Sequence, residues 1–332
     1  MKGEYLFRVR GKRIRFSFKI RHNITVIQGN SATGKTTLLS MMYEYLRAGR
    51  ESGYSVQAGT DYFVYLRDEV GRDWTDVLFP LHDTIIFIEE NNNFIFSQEF
   101  AEFVKDSGNY FVLVTRAPLK MLPYSVHEIY EIVADGQHAD LKESWHTLRE
   151  LYSNFPLAEN NHLEIILTED TNAGFHFVPN IYSHRIVISP GGISNIAKMI
   201  TETEDGDLLV IADGAAFGAM MGNCMETLKV ARNQRISLWL PESFEYLILQ
   251  SGIVSAPKLD NILRSPADYI DSRIFVSWER YFTELLITLT KDTLYSYSKQ
   301  TLAKYYLTEQ NKKKMIACFP EAIREKLSQP TQ

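Results

Sequence analysis

The stretch that most constrains this chain is Gly29-Asn30-Ser31-Ala32-Thr33-Gly34-Lys35-Thr36, which fits the pattern G-x-x-x-x-G-K-[ST]. A short apolar, β-branched run, Ile24-Thr25-Val26-Ile27-Gln28, precedes it and reads as a strand. Residues 37–46 follow with helical periodicity. Strand, glycine loop and helix in that order are the context in which this pattern forms a phosphate-binding loop. Gly29 and Gly34 let the backbone wrap a polyphosphate, while the loop amides and the positive end of the helix dipole face it. Lys35 is expected to reach the β and γ phosphates and the Thr36 hydroxyl to ligate Mg²⁺. Residues 29–37, Thr37 included, are the expected nucleotide contacts, with ATP as the ligand and Lys35 also serving catalysis.

A second signal supports this reading. Thr84-Ile85-Ile86-Phe87-Ile88-Glu89-Glu90 is an apolar run ending in acids. A buried strand of this kind delivers carboxylates to the C-terminal edge of a parallel sheet, beside the phosphates. Glu89 is the expected member of the Mg²⁺ shell and Glu90 the group that polarises the attacking water. Tyr110-Phe-Val-Leu-Val-Thr115 is another buried strand, and its terminal Thr115 is placed to sense the γ-phosphate. This order of loop, acidic strand and sensor strand resembles the ATPases that carry a catalytic glutamate. In most of those the first acid is Asp, so Glu89 reaches one methylene further, which makes slow turnover expected.

The rest of the first half is read by pattern. Alternation on both sides of Gly11-Lys12 predicts a β-hairpin over residues 5–20. Phe7, Val9, Ile14, Phe16 and Phe18 share one face, and Arg8, Arg10, Arg13, Arg15 and Lys19 the other. Strands are expected at 61–66 and 126–133, and helices at 97–106 and 138–153. The polar, Pro-containing stretch at 154–161 suggests a boundary, giving a nucleotide-binding domain over 1–157.

Beyond it, short apolar strands alternate with helices, which predicts a second parallel sheet. Strands are expected at 163–168, 184–189, 207–212 and 236–240, and helices at 193–201 and from Pro241 onward. Acids follow three of these strands: Glu169 and Asp170, then Asp213, then Glu242 and Glu245. Converging carboxylates without cysteine suit Mg²⁺ or Mn²⁺. Glu169, Asp213 and Glu242 are the expected metal ligands.

This second half resembles a Toprim domain, the metal-binding fold of topoisomerases, primases and nucleases of the overcoming-lysogenization-defect type. The residues that carry the resemblance are Glu169 after the first strand, Gly191-Gly192 after the second, and Asp213-Gly214-Ala215-Ala216-Phe217-Gly218 after the third. Ala215 stands where the family has a second Asp. The fusion order also resembles that nuclease type and implies ATP-regulated processing of DNA or RNA, in defence or repair. The fold expected is therefore α/β: a P-loop NTPase domain, a Toprim-like parallel α/β domain over 158–260, and a mostly helical extension over 261–332. Ala215 motivates a rival reading, an ATP-dependent switch or scaffold whose Toprim-like module is inactive and docks a partner protein. A small-molecule kinase would need an acceptor site, to which no residue points.

Composition narrows the setting. The chain has 332 residues, 45% hydrophobic and 23% charged, a globular profile. No apolar run approaches a membrane span. Only Cys224 and Cys318 occur, which suits a reducing cytoplasm. A net charge of −6 disfavours general polyanion binding, although a local basic patch is compatible with it. ATPases of this group often dimerise, so a homo-oligomer is an expected state.

Overall fold

The computed structural model describes residues 1–29, 33–66, 72–135, 143–153, 163–169, 172–182, 185–203, 207–230 and 235–328. The chain forms two compact units. The first comprises Met1–Ser153 with Ser265–Ser277, and the second Asn154–Arg264 with Trp278–Gln332.

The first unit is built on one nine-stranded sheet. Its strands are β1 (Tyr5–Arg10), β2 (Ile14–Ile20), β3 (Ile24–Gln28), β4 (Ser55–Ala58), β5 (Tyr62–Tyr65), β6 (Ile85–Ile88), β7 (Tyr110–Val114), β8 (Ile129–Ala134) and β9 (Ser144–Glu150). They lie in the order β4-β1-β2-β9-β8-β3-β7-β6-β5. The five strands β8, β3, β7, β6 and β5 run parallel. The helices are α1 (Lys35–Ala48), α2 (Trp74–Leu78) and α3 (Gln98–Asp106). Four of the five residues of β3 and every residue of β6 and β7 are buried, as a sheet covered on both faces requires.

The expected hairpin is β1–β2, with Val9 opposite Phe16 and Phe7 opposite Phe18. Its apolar face enters the core, where the Phe7 and Phe18 rings stack 5.3 Å apart and Leu38, Met41 and Met42 of α1 join the cluster. Arg8 and Arg10 on the other face are exposed.

Two expectations change here. The helix expected over 138–153 is strand β9 across its described part. Leu141, Trp145, Leu148 and Leu151 fit helical spacing, but the segment finds backbone partners on both sides. It pairs antiparallel with β8 and parallel with β2. Trp145 lies 5.2 Å from the Arg15 guanidinium, and His146 stacks on Phe16. The strand expected at 126–133 starts later, because Val126–Glu128 is a single 3₁₀ turn whose N-cap is Ser125.

The second unit has a four-stranded parallel sheet in the order β11-β10-β12-β13. The strands are β10 (Leu163–Thr168), β11 (Ile186–Ile188), β12 (Asp207–Ile211) and β13 (Arg235–Trp239). The helices are α4 (Ala173–Ile181), α5 (Ile196–Glu202), α6 (Gly214–Val230), α7 (Phe244–Gln250), α8 (Leu259–Arg264), α9 (Trp278–Thr290), α10 (Glu309–Ala317) and α11 (Glu321–Ser328). Pro241 does not open α7 as expected. Ser243 caps it, with its hydroxyl accepting from the Tyr246 amide at 3.1 Å, so the helix starts at Phe244. Trp278, Phe282 and Leu286 of α9 are buried, as their spacing predicts. Among the described residues, no helix is long and apolar enough to cross a membrane.

Candidate functional sites

The first site lies on the C-terminal edge of the parallel strands. Ile27 is paired with Val114, and Leu113 with Ile88. One residue further on, Gln28 leads into Gly29, Val114 into Thr115, and Ile88 into Glu89 and Glu90. Sheet topology thus gathers Gly29 and the ends of β7 and β6 on one edge.

Gly29 and Gly34 have φ of +126° and +97°, a region that favours glycine. Lys35 opens α1 and is buried, and its ammonium donates to the Gly29 carbonyl at 2.7 Å and to Thr33 Oγ1 at 3.2 Å. Gly29 and Thr33, on either side of the undescribed loop centre, thus both meet the Lys35 head. Burial lowers the Lys35 pKa; Glu90 opposes this and Arg116 adds to it, so the three charges share one field. Thr36 and Thr37 are exposed on the first turn of α1. Asn30, Ser31 and Ala32 lie outside the described residues.

Glu90 is half-buried and held by the Arg116 guanidinium, with Nε 3.0 Å from Oε1. Arg116 follows Thr115 directly, so the ends of β6 and β7 are tied by one ion pair. Glu89 is also half-buried, and its backbone is fixed by hydrogen bonds to Tyr65 and Asn92. Thr115 is buried, and its hydroxyl donates to the Ala117 carbonyl at 3.1 Å and accepts from the Ala117 amide.

The second site is a cavity of about 60 Å³ in the second unit. Its polar wall holds Thr168, Glu169, Asp213, Glu245, Tyr297 and Lys299. Phe177, Trp239 and Phe244 contribute to its apolar wall. The expected convergence of the strand-end acids at this edge is present for Glu169, Asp213 and Glu245. Glu242 is not among the cavity's lining residues, and Asp170 lies outside the described residues.

These acids are stitched together. Glu169 Oε2 accepts from the Asp213 amide at 2.9 Å, Asp213 Oδ1 accepts from the Phe244 amide at 3.0 Å, and Glu245 Oε1 accepts from the Tyr297 hydroxyl at 2.8 Å. Burial, then Glu169, Glu245 and Glu279, raise the Asp213 pKa well above its ordinary value, and Lys299 works against them. Burial likewise raises the Glu245 pKa. Burial alone would lower the Lys299 pKa, but its hydrogen bond to Glu279 and the nearby carboxylates hold it above normal.

Ala215, in the place of the family's second Asp, is buried in the first turn of α6 and adds no oxygen. Among the described residues, no group of three or more His, Cys, Asp or Glu side chains is arranged to hold a metal ion. Sequence reasoning missed Glu279, Tyr297 and Lys299. They belong to the last helical region, far along the chain from Glu169, with no local motif to mark them.

Comparison of the chain with known protein families, with curated proteins and with solved structures finds no match.

Proposed function

We propose that the first unit binds ATP with Mg²⁺ and hydrolyses it slowly, and that this turnover controls a Toprim-like second unit that processes nucleic acid. The observation that carries the reading is the shared sheet edge, where Lys35, Glu90 and Arg116 act on one another. Gly29 and Gly34 supply the backbone curvature. Lys35 neutralises phosphate charge, and Thr36 with Glu89 would hold the Mg²⁺, which screens the β and γ oxygens. Glu90 would orient the attacking water and take its proton, with its ion-pair partner Arg116 at the same edge. Calorimetric titration with MgATP tests this: the full chain binds, and Lys35→Ala loses at least tenfold in affinity. Equal binding by Lys35→Ala contradicts it.

A second reading is favoured by Ala215 and Lys299. The ATPase would be a switch, and the second unit a catalytically silent module that docks nucleic acid or a partner protein. This reading expects no Mg²⁺- or Mn²⁺-dependent cleavage of duplex DNA, single-stranded DNA or RNA. Cleavage that disappears in Glu169→Gln supports the first reading against it.

A further inference from the structure

Lys299 shares the wall of this cavity with Glu169, Asp213 and Glu245. We infer that its ammonium offsets the charge of these acids from within the chain, so that the site takes no divalent metal. The inference rests on the second reading above, in which the Toprim-like unit is catalytically silent, and not on the nucleotide reading of the first unit.

Three observations support it. Lys299 lines the cavity together with Glu169, Asp213 and Glu245, and its ammonium forms an ion pair with Glu279. The lysine is positioned rather than loose: its carbonyl accepts from the Ala173 amide at 2.9 Å, at the start of α4. Two residues earlier, Tyr297 donates to Glu245 Oε1, and its own amide donates to the buried Thr290 hydroxyl at 2.9 Å. Second, one oxygen each of Glu169, Asp213 and Glu245 accepts from a protein donor, so the fold holds the three acids in place around the cavity. Third, Glu245 Oε2 and Thr168 Oγ1, both from residues at least nine-tenths buried, face this cavity with no hydrogen-bond partner in the protein. A cavity of 60 Å³ has room for roughly two waters, one for each of these atoms, without an ion. The chemistry that results is an acidic pocket with one ammonium at its wall.

The test is Mn²⁺ titration of the nucleotide-free full chain by calorimetry, with Lys299→Met, Lys299→Arg and the double variant Lys299→Met/Asp213→Asn. Wild type and Lys299→Arg are expected to show no saturable site. Lys299→Met is expected to gain one, at least tenfold tighter than any wild-type binding, and the double variant to lose it again. A wild-type Mn²⁺ site that Asp213→Asn removes overturns the inference. So does a Lys299→Met protein that is folded by circular dichroism and still binds no Mn²⁺. Should Lys299→Met not fold, the wild-type titration beside Asp213→Asn still decides. ATP binding is absent from every arm, so failure here is separate from failure of the P-loop reading.

Discussion

Glu128 shows how a single residue sets a pH dependence. Its carboxyl is buried, accepts from Arg21 Nε at 3.0 Å and from Thr25 Oγ1 at 3.4 Å, and has His22 Nε2 at 3.7 Å. Burial raises its pKa from the ordinary 4.5 to about 7, against the pull of Arg21. A carboxyl raised by folding binds its proton more tightly in the native state, so it stabilises most below its unfolded pKa. That contribution is lost as pH rises from about 4.5 to about 7. Denaturant unfolding across this window is expected to show a downward slope that Glu128→Gln flattens. A slope identical in both proteins would assign the effect elsewhere. Burial lowers the His22 pKa well below its ordinary value, and Arg21 and His127 lower it further. None of this was legible in the sequence, where His22 and Glu128 carry no spacing that marks them. Lys299 escaped notice for the same reason: a lone charge acquires meaning only from what the fold brings beside it.

At the scale of elements, local signals were read well and non-local ones were not. The strand and helix on either side of residues 29–34, the hairpin turn at Gly11-Lys12 and the short apolar strands are written in contiguous residues. Strand β9 is not, since its identity comes from hydrogen bonds to β8 and to β2, and β2 is more than a hundred residues away. Strand β4 likewise exists because β1 offers it an edge, with Val9 opposite Val56. Two elements carry predictions. At Gly34, an added Cβ would meet only ordinary contacts with Phe16 and Ile132, so Gly34→Ala costs backbone strain rather than a clash. A loss of about 1–2 kcal/mol in unfolding free energy is expected, together with weakened MgATP binding. Removing the α7 cap with Ser243→Ala is expected to cost about 1 kcal/mol, measured by denaturant unfolding. Because Phe244 and Glu245 begin that helix, the same change loosens the acid wall of the second site.

The whole molecule is not a simple succession of halves. Ser265–Ser277 returns to the first unit after most of the second has been made. Asn23 Nδ2 donates to the Phe275 carbonyl at 2.7 Å, the Ser272 hydroxyl donates to the Gly108 carbonyl at 2.7 Å, and the Gly3 amide donates to the Ala267 carbonyl at 2.7 Å. The polar stretch at 154–161 marks one crossing between the units, but no composition shift marks the two near 265 and 277. Asn23 is buried, so Asn23→Ala leaves the Phe275 carbonyl without this donor and is expected to cost about 1–3 kcal/mol. Thermal unfolding with and without MgATP would report the same unit, since ligand binding to the native state at a hundred times its Kd adds about 2.7 kcal/mol.

The proposed ATPase turns on Glu90 acting at the edge that Lys35 occupies. Its most direct test is ATP turnover by Glu90→Gln beside MgATP binding by the same protein. The predicted result is affinity within a few-fold of wild type and kcat lower by about 10²–10⁴-fold, the range for loss of a general base. A Glu90→Gln protein that hydrolyses ATP at the wild-type rate would contradict the assignment of this edge as a catalytic one.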